Sequence, residues 1–227
     1  MKTKPIYLIP GGPASGGEQL AGDFRAALLA CGKRAPLVAY VGTASRDDMS
    51  LFRRLEKALL DSGAGNVVLA PIVGKHVDIV SARKILSEAD AVFLSGGEVD
   101  DGMAGLVNSG LDVFMTELYR GGKLFFGISA GCIMMGRHYA HWDVAGDDST
   151  ASLFPCLNFV PMNFDAHDEK NNWSELHCLL RLLGNGARGY GLSTGGFYSA
   201  SRQGRLKSFR DGPAIFLNSK GAIHRET

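Results

Sequence analysis

The most informative stretch of this sequence is Lys123-Leu124-Phe125-Phe126-Gly127-Ile128-Ser129-Ala130-Gly131. Its apolar first half is typical of a strand buried in the middle of a sheet, and the residues from Cys132 to Met135 can begin a buried helix. Between them, Ser129 occupies a Gly-x-Ser-x-Gly motif, which marks a sharp turn with strained backbone at the serine. The motif predicts an α/β protein in which Ser129 is a candidate nucleophile. A serine that only caps the next helix would fit the same motif, so both interpretations stay open at this point.

The residues before this stretch show a repeated alternation of strands and helices. Short β-branched or aromatic runs predict strands at Ile6–Ile9, Leu37–Val41, Val67–Ile72, Ala91–Leu94 and Lys123–Ile128. Apolar residues spaced three and four apart predict helices within Glu18–Cys31, Leu51–Leu59 and Ile79–Leu86. Repeated βαβ units have this pattern, so we expect a mostly parallel sheet with helices packed against it.

The C-terminal third has a different rhythm. Its predicted strands are Cys156–Phe164, Tyr190–Leu192, Phe197–Ala200 and Ala214–Leu217, with one clear helix at Trp173–Leu183. Strands with so few helices between them favour an antiparallel extension of the sheet. Since no linker, repeat or low-complexity segment interrupts the chain, we expect residues 1–227 to form a single domain.

The composition narrows the class of protein. The 227 residues are 45% hydrophobic and 21% charged, with a net charge of +1. Charges of both signs are scattered along the chain and form no basic stripe, which argues against nucleic-acid binding. The apolar run Ile6–Ile9 is too short for a signal peptide, and no run approaches the roughly 18 apolar residues of a membrane helix. The four cysteines lie far apart, which fits a reducing compartment better than a disulfide scaffold. We therefore expect a cytoplasmic protein without membrane or nucleic-acid partners.

A nucleophilic serine needs a base within hydrogen-bond reach and a third group that orients the base. His167 is the best candidate base, since it follows a predicted strand in the polar turn Asp165-Ala166-His167-Asp168. Gly96-Gly97 ends the strand before Lys123–Ile128, and a free backbone amide there could act with the amide after Ser129 on a substrate oxygen. The residues alone leave several acids open as the orienting group: Asp143, Asp147, Asp148, Asp165 and Asp168.

Two other motifs suggest different chemistry. The run from His138 to Asp143 has two imidazoles three residues apart and a carboxylate, which on a helix could chelate a metal, although surface histidines near a helix end are far commoner. The loop Gly11–Gly17 follows a strand, but it lacks the ending of a phosphate-binding loop and the spacing of a dinucleotide fingerprint. We therefore expect no metal site, and we expect this loop to be a flexible rim beside the pocket.

Three blocks in the middle third of the chain resemble the peptidase E (aspartyl dipeptidase) and cyanophycinase family of serine peptidases. They are Phe93-Leu94-Ser95-Gly96-Gly97, Arg120-Gly121-Gly122-Lys123 leading into Gly127-Ile128-Ser129-Ala130-Gly131, and Leu157-Asn158-Phe159-Val160-Pro161 running to His167. The resemblance implies a three-layer, flavodoxin-like fold of the class I glutamine amidotransferase type. It also implies a serine-type peptidase or amidase without a cofactor. The implied roles are Ser129 as nucleophile, His167 as general base, Asp143 as acid, and Gly97 with Ala130 as oxyanion donors.

Three departures from the family pattern bear on the substrate. Glu98 stands where the family usually has asparagine, and Thr194 lies in a segment where an acidic residue is common. The segment after His167 is acidic, whereas the dipeptidase carries arginines there that recognise an acidic substrate. We therefore expect Glu98 and Trp173 to contact a small peptide, isopeptide or amide that carries a basic or neutral group.

Other functions stay open. A glutamine amidotransferase would have cysteine at the turn and a late His-x-Glu pair, whereas this chain has Ser129 and ends in His224-Arg225-Glu226, in a tail expected to fray. A standard α/β-hydrolase would have several βα units between its serine and histidine, and only 38 residues separate these here. Glu98 and Thr194 would also suit a binding or regulatory protein that lost catalysis. The sequence does not specify an oligomeric state, and a homodimer is one expectation.

Overall fold

The computed structural model describes residues 3–11 and 17–226. Strands and helices alternate through the first half of the chain, as the sequence predicts, and short strands dominate the second half. The strands are β1 (Ile6–Ile9), β2 (Leu37–Val41), β3 (Asn66–Ala70), β4 (Ala91–Leu94), β5 (Leu124–Ile128), β6 (His138–Trp142), β7 (Ala151–Pro155), β8 (Asn163–Ala166), β9 (Arg188–Leu192), β10 (Tyr198–Ala200), β11 (Leu206–Ser208), β12 (Ala214–Ser219) and β13 (Ala222–Glu226). The helices are α1 (Gly17–Leu29), α2 (Met49–Asp61), α3 (Ile79–Glu88), α4 (Val99–Asn108), α5 (Leu111–Arg120), α6 (Ala130–Met134) and α7 (Ser174–Leu183).

Local sequence explains where several helices begin and which face they bury. Asp48 and Asp78 cap α2 and α3, each accepting a hydrogen bond from a backbone N–H three residues later, at 2.6 and 3.0 Å. In α2, Phe52, Leu55 and Leu59 recur at steps of three and four and form one buried stripe. Across residues 3–11 and 17–226, no helix has both the length and the apolar character needed to span a membrane.

The central sheet has seven strands in the order β11-β10-β1-β5-β4-β2-β3. The five strands from β1 to β3 in that order are parallel, and β10 and β11 add to the edge in antiparallel fashion. Helices α1 and α2 pack on one face, while α3, α4 and α5 pack on the other. This is the three-layer, mostly parallel α/β fold that the sequence predicts. Since β5 lies between β1 and β4, Ser129 follows a central strand at the carboxyl edge of the sheet, where ligand sites of such folds form.

A second sheet has four strands in the order β13-β12-β9-β8, and β6 and β7 form a separate hairpin. Within the second sheet, β8 pairs in parallel with β9, and the other pairings are antiparallel. Helix α7 packs between the hairpin and this sheet in a hydrophobic cluster of its own. The antiparallel strands of the C-terminal third therefore divide, because β10 and β11 extend the central sheet while the others build a second one. Strand patterns alone do not specify pairing partners, since these depend on contacts distant in sequence.

Two segments differ from the structure considered for them. The metal interpretation supposed a helix at residues 138–143, but His138–Trp142 is a strand whose backbone pairs with β7. Of the predicted strand Cys156–Phe164, only the last two residues belong to β8. The residues before them have other backbone partners; the N–H of Leu157, for example, donates to the Met134 carbonyl at the end of α6 (2.9 Å). The segment thus satisfies carbonyls that the end of a short helix leaves unpaired.

Candidate active site

The turn between β5 and α6 holds Ser129 in a backbone conformation that non-glycine residues rarely adopt. Ser129 has φ 53° and ψ −119°, the kind of strain expected at a nucleophile elbow. A Cβ at Gly127 would lie 2.9 Å from the Gly131 backbone, and a Cβ at Gly131 would lie 2.4 Å from the Leu94 carbonyl oxygen. The Ser129 N–H donates to the carbonyl of Ile9 in β1 (3.0 Å). Close packing therefore requires both glycines and fixes the serine between β1 and β4.

His167 reaches the serine from the second sheet. It directly follows β8 with φ 52°, and its backbone N–H donates to the carbonyl of Leu192 at the end of β9 (3.0 Å). Its Nε2 lies 2.7 Å from the Oγ of Ser129, which is hydrogen-bond distance. When Nε2 accepts the serine proton, the neutral ring carries its own proton on Nδ1. The two side chains have the geometry of a hydroxyl nucleophile and its general base.

Gly97 and Ala130 line the same cavity as Ser129 and His167. Gly97 has φ 142°, and a Cβ there would lie 2.0 Å from the carbonyl oxygen of Ala44, so only glycine fits. In the described part of the chain, no hydrogen bond engages the Gly97 N–H. Ala130 begins α6, where a backbone N–H has no partner within the helix. The predicted oxyanion donors therefore stand beside the serine.

The cavity around Ser129 and His167 has a volume of about 180 Å³ and an acidic wall. Asp165 on this wall is only 5% exposed. Burial, followed by the charges of Glu175 and Asp168, raises the pKa of Asp165 to about 8. Burial and the charge of Asp168 also raise the pKa of Glu175. The described residues place no lysine or arginine on this wall, so the field in the cavity is negative.

The structure does not bring Asp143 to His167. The Asp143 side chain is 80% exposed, and its Oδ1 lies 3.5 Å from the Nε2 of His141. Asp143 directly follows β6, and its neighbour His141 also contacts Asp100 (3.0 Å), so this acid belongs to a different cluster of charges. Of the other candidate acids, Asp147 accepts hydrogen bonds from Ser149, Asp148 pairs with Trp142 and Arg181, and Asp165 and Asp168 line the Ser129 cavity.

Glu98 lines the cavity, as expected of a residue that contacts substrate, whereas Trp173 does not. Trp173 is 4% exposed and belongs to the hydrophobic cluster around α7. Its ring packs so closely on β9 that a Cβ at Gly191 would lie 2.6 Å from it. Trp173 is therefore a core residue, and the expectation that it contacts the substrate is wrong.

An adjoining cavity of about 770 Å³ contains residues that the sequence does not single out. Trp142, Tyr139 and Glu175 line it, and the last two also line the Ser129 cavity, so the two cavities are neighbours. Tyr139 and Trp142 lie three residues apart on β6, a spacing that strand alternation does not place on one face, so no pattern in the sequence identifies the two as a pair.

Of the remaining sequence motifs, the paired histidines and the C-terminal His-x-Glu do not line the Ser129 cavity. His138 and His141 lie three apart on a strand and so point to opposite faces. Residues 3–11 and 17–226 contain no group of three or more side chains arranged to hold a metal ion. The expected rim loop lies mostly outside the described residues, which omit 12–16. Glu226 belongs to strand β13 and not to a frayed tail, because it pairs with Arg188 (2.7 Å).

Comparison with known proteins identifies the family. The model of peptidase family S51 matches residues 6–196. A putative peptidase E protein from Listeria monocytogenes EGD-e has a similar structure, with a TM-score of 0.69, 18% identity, and coverage of 92% of this chain and 100% of that one. A peptidase from an acI-B1 Actinobacterium has a TM-score of 0.67, 15% identity, and coverage of 100% of this chain and 95% of that one. No curated protein matches the sequence. Since the family match spans most of the residues, the chain belongs to peptidase family S51, a family of serine peptidases.

Proposed function

We propose that this protein hydrolyses a small peptide or isopeptide through an acyl-enzyme formed on Ser129. The observation that carries the proposal is the 2.7 Å contact between the Oγ of Ser129 and the Nε2 of His167. Membership in a serine peptidase family agrees with a nucleophilic serine at this turn. The amides of Gly97 and Ala130 on the same cavity supply donors for a developing negative charge.

The reaction proceeds in two acyl transfers. In the first, Ser129 Oγ attacks the scissile carbonyl carbon while His167 Nε2 takes the hydroxyl proton, and the carbonyl oxygen becomes an oxyanion held by the two amides. Collapse of this intermediate breaks the C–N bond, and the imidazolium donates its proton to the leaving nitrogen. Water then attacks the ester as His167 takes a proton from it. A second collapse releases the acid and returns the proton to Ser129.

Asp168 lines the same cavity as His167, and we propose that it provides the negative charge of a third catalytic residue. Asp168 directly follows His167, and its Oδ1 accepts a hydrogen bond from Asn171 (2.7 Å). Its Oδ2 is shielded from solvent and has no hydrogen-bond partner in the described structure. Negative charge close to the ring stabilises the imidazolium that forms during each transfer. The steps described use the side chains of Ser129 and His167, two backbone amides and water.

We also propose a cytoplasmic location for the enzyme, with small peptides as its partners. Its four cysteines are free thiols, and two of them are buried. Free thiols persist in reducing compartments, whereas secreted proteins of this size commonly oxidise their cysteines to disulfides.

Replacement of Ser129 by alanine tests the proposed nucleophile. We expect Ser129→Ala to lower kcat/KM by about 10⁴-fold or more on every dipeptide or isopeptide that the wild type cleaves, because the acyl-enzyme cannot form. A fluorophosphonate probe should add to the wild type, as measured by intact mass, and not to the variant. Ser50→Ala, at an exposed position of α2, is the matched control. Unchanged hydrolysis by Ser129→Ala, or a wild type that the probe does not label, would contradict the proposal.

A further inference from the structure

Four acidic side chains act on Tyr139, which stands at the boundary between the two adjoining cavities. The Tyr139 hydroxyl donates to Glu175 Oε2 at 3.4 Å. Burial and the negative charges of Glu175, Asp100 and Glu98 raise the pKa of this phenol above its ordinary value. The fourth acid beside it, Asp165, has a pKa of about 8 and is mostly protonated near neutral pH. Negative charge is therefore concentrated where a substrate would extend away from Ser129.

One carboxylate on this wall has a buried oxygen without a partner. Asp165 is 5% exposed and lines the Ser129 cavity. Its Oδ1 accepts the N–H of Ala166 at 2.7 Å, whereas its Oδ2 is shielded from solvent and makes no hydrogen bond with the described residues. Because Asp165 is mostly protonated near neutral pH, this side chain can donate a hydrogen bond to a polar group of a bound ligand.

The cations near this wall are engaged by other acids; Arg46, which acts on Glu98 only at a distance, pairs with Asp101 at 2.8 Å. Arg181 lines the larger cavity, but Asp148 engages it at 2.8 Å. His141 engages Asp100 at 3.0 Å. Glu98, Asp168 and Glu175 form no ion pair within residues 3–11 and 17–226. Like charges held this close repel one another, and a cation between them relieves that repulsion.

Aromatic rings extend the same site into the larger cavity. Tyr139 and Trp142 both line it, with their ring centroids 6.0 Å apart in an edge-to-face arrangement. The Trp142 Nε1 donates to Asp148 (3.1 Å), which holds the indole in place. Faces of tyrosine and tryptophan rings attract ammonium and guanidinium groups. Aromatic faces beside carboxylates are thus a surface that suits a cation.

We infer that the substrate carries an ammonium or guanidinium group, which Glu98 and Glu175 bind beside the scissile carbonyl on the path toward Trp142. This inference rests on the proposed function, since it names the substrate class of the same site. A free α-amino group and a lysine or arginine side chain present the same chemistry to these carboxylates. An anionic side chain would meet charge of its own sign with no cation on the wall to accept it.

Substrate pairs that differ in charge test the inference on the full-length protein. We expect lysyl and arginyl amides to be hydrolysed with a kcat/KM about tenfold or more above those of the N-acetylated norleucyl and citrullyl amides, which carry no charge, with N-acetylated aspartyl amides poorest. Substrates with a single cation distinguish its two sources. A free norleucyl amide that keeps the advantage assigns the cation to the α-amino group, and an N-acetylated lysyl amide that keeps it assigns the cation to the side chain. The inference would be overturned if N-acetylated norleucyl, citrullyl or aspartyl amides were hydrolysed as fast as, or faster than, the lysyl and arginyl amides.

Neutral variants of the two glutamates test the residues themselves. We expect Glu175→Gln and Glu98→Gln each to lower kcat/KM for cationic substrates about tenfold relative to kcat/KM for uncharged substrates. Glu88→Gln, exposed at the end of α3, is the matched control and should change neither. An undiminished preference for cations in the double variant would also reject the site.

Fluorophosphonate labelling of Ser129 separates failure of this inference from failure of the proposed function. A wild type that does not react with the probe rejects the proposed function. A wild type that reacts but hydrolyses uncharged or aspartyl substrates fastest rejects only the cation site. For each glutamate variant, labelling at the wild-type rate shows that the elbow is intact, so its kinetics report on charge alone.

Discussion

The chemistry proposed for Ser129 depends on neighbours that have no reactive groups. Gly127 and Gly131 provide the space that the strained turn requires, and Gly97 fits where any Cβ would contact the Ala44 carbonyl. The glycines on either side of the serine are local in sequence, which is why the Gly-x-Ser-x-Gly motif by itself indicates the turn. At the scale of single residues, steric constraint positions the nucleophile.

The steric requirement at Gly131 can be measured as stability. Gly131→Ala should lower the free energy of unfolding by about 2–4 kcal/mol, because the new Cβ would lie 2.4 Å from the Leu94 carbonyl oxygen and the backbone must shift. Urea unfolding followed by circular dichroism measures the change. Gly22→Ala in α1 is the matched control, since nothing lies within 4 Å of a Cβ there. We expect that control to gain up to about 1 kcal/mol from helix propensity, and equal effects of the two substitutions would contradict the argument.

Single residues also show where sequence reasoning stops. Ser129 and His167 can be paired from sequence because each directly follows a strand. The position of the Asp143 side chain depends on the hairpin of β6 and β7, which the sequence did not predict. In that hairpin Asp143 contacts His141. Trp173 is large and apolar, which suits a core as well as a pocket, and long-range packing against β9 decides between the two.

At the scale of elements, strand β8 contains the buried Asp165 and ends directly before His167. Burial raises the pKa of Asp165 in this strand to about 8, whereas an aspartate in an unfolded chain has a pKa of about 3.9. The folded state therefore binds this proton more tightly than the unfolded state. The stability linked to that proton is fully present below about pH 4 and is lost as the pH rises toward about 8.

Replacement of Asp165 by asparagine should flatten this part of the pH dependence. Between about pH 5 and about pH 8, we expect the wild type to lose stability relative to Asp165→Asn by up to about 1.4 kcal/mol per pH unit. Urea unfolding at a series of pH values measures the two slopes. Asp211→Asn is a control with the same substitution at an exposed position, and it should follow the wild type. Parallel slopes for Asp165→Asn and the wild type would mean that the pKa is not raised.

The elements differ in how far the sequence predicts them. Parallel strands β1, β2, β4 and β5 are buried on both faces and appear as short apolar runs, so their bounds are close to the prediction. The hairpin of β6 and β7 is partly exposed and mixed in character, and neither of its strands stands out. The acidic wall is not predicted as a unit because its acids come from separate elements: Glu98 precedes α4, Asp165 lies in β8, and Glu175 lies in the first turn of α7.

At the scale of the whole molecule, the two sheets share a core. One hydrophobic cluster contains Leu8 and Phe125 of the central sheet together with Phe164 of β8. Because apolar contacts continue from one sheet to the other, neither can separate without exposing buried surface. We infer that residues 1–227 fold as one cooperative unit.

Thermal or urea unfolding tests this unit. The two tryptophans, Trp142 and Trp173, both belong to the cluster around α7, whereas far-ultraviolet circular dichroism reports on all helices and strands. We expect fluorescence and circular dichroism to change in a single coincident transition. An earlier fluorescence change would show that the second sheet unfolds independently. Trp142→Phe, which leaves the buried Trp173 as the probe, checks that the signal comes from the core.

The division of the catalytic pair between two sheets has a consequence during protein synthesis. Ser129 ends a strand of the central sheet, while His167 is held by the carbonyl of Leu192 in a sheet completed by β12 and β13. A ribosome-bound chain carries its serine well before translation supplies the strands that hold the imidazole. Nascent or prematurely terminated chains therefore have the hydroxyl without its proton acceptor in place, and hydrolytic capacity arises only once the C-terminal strands have been made and docked.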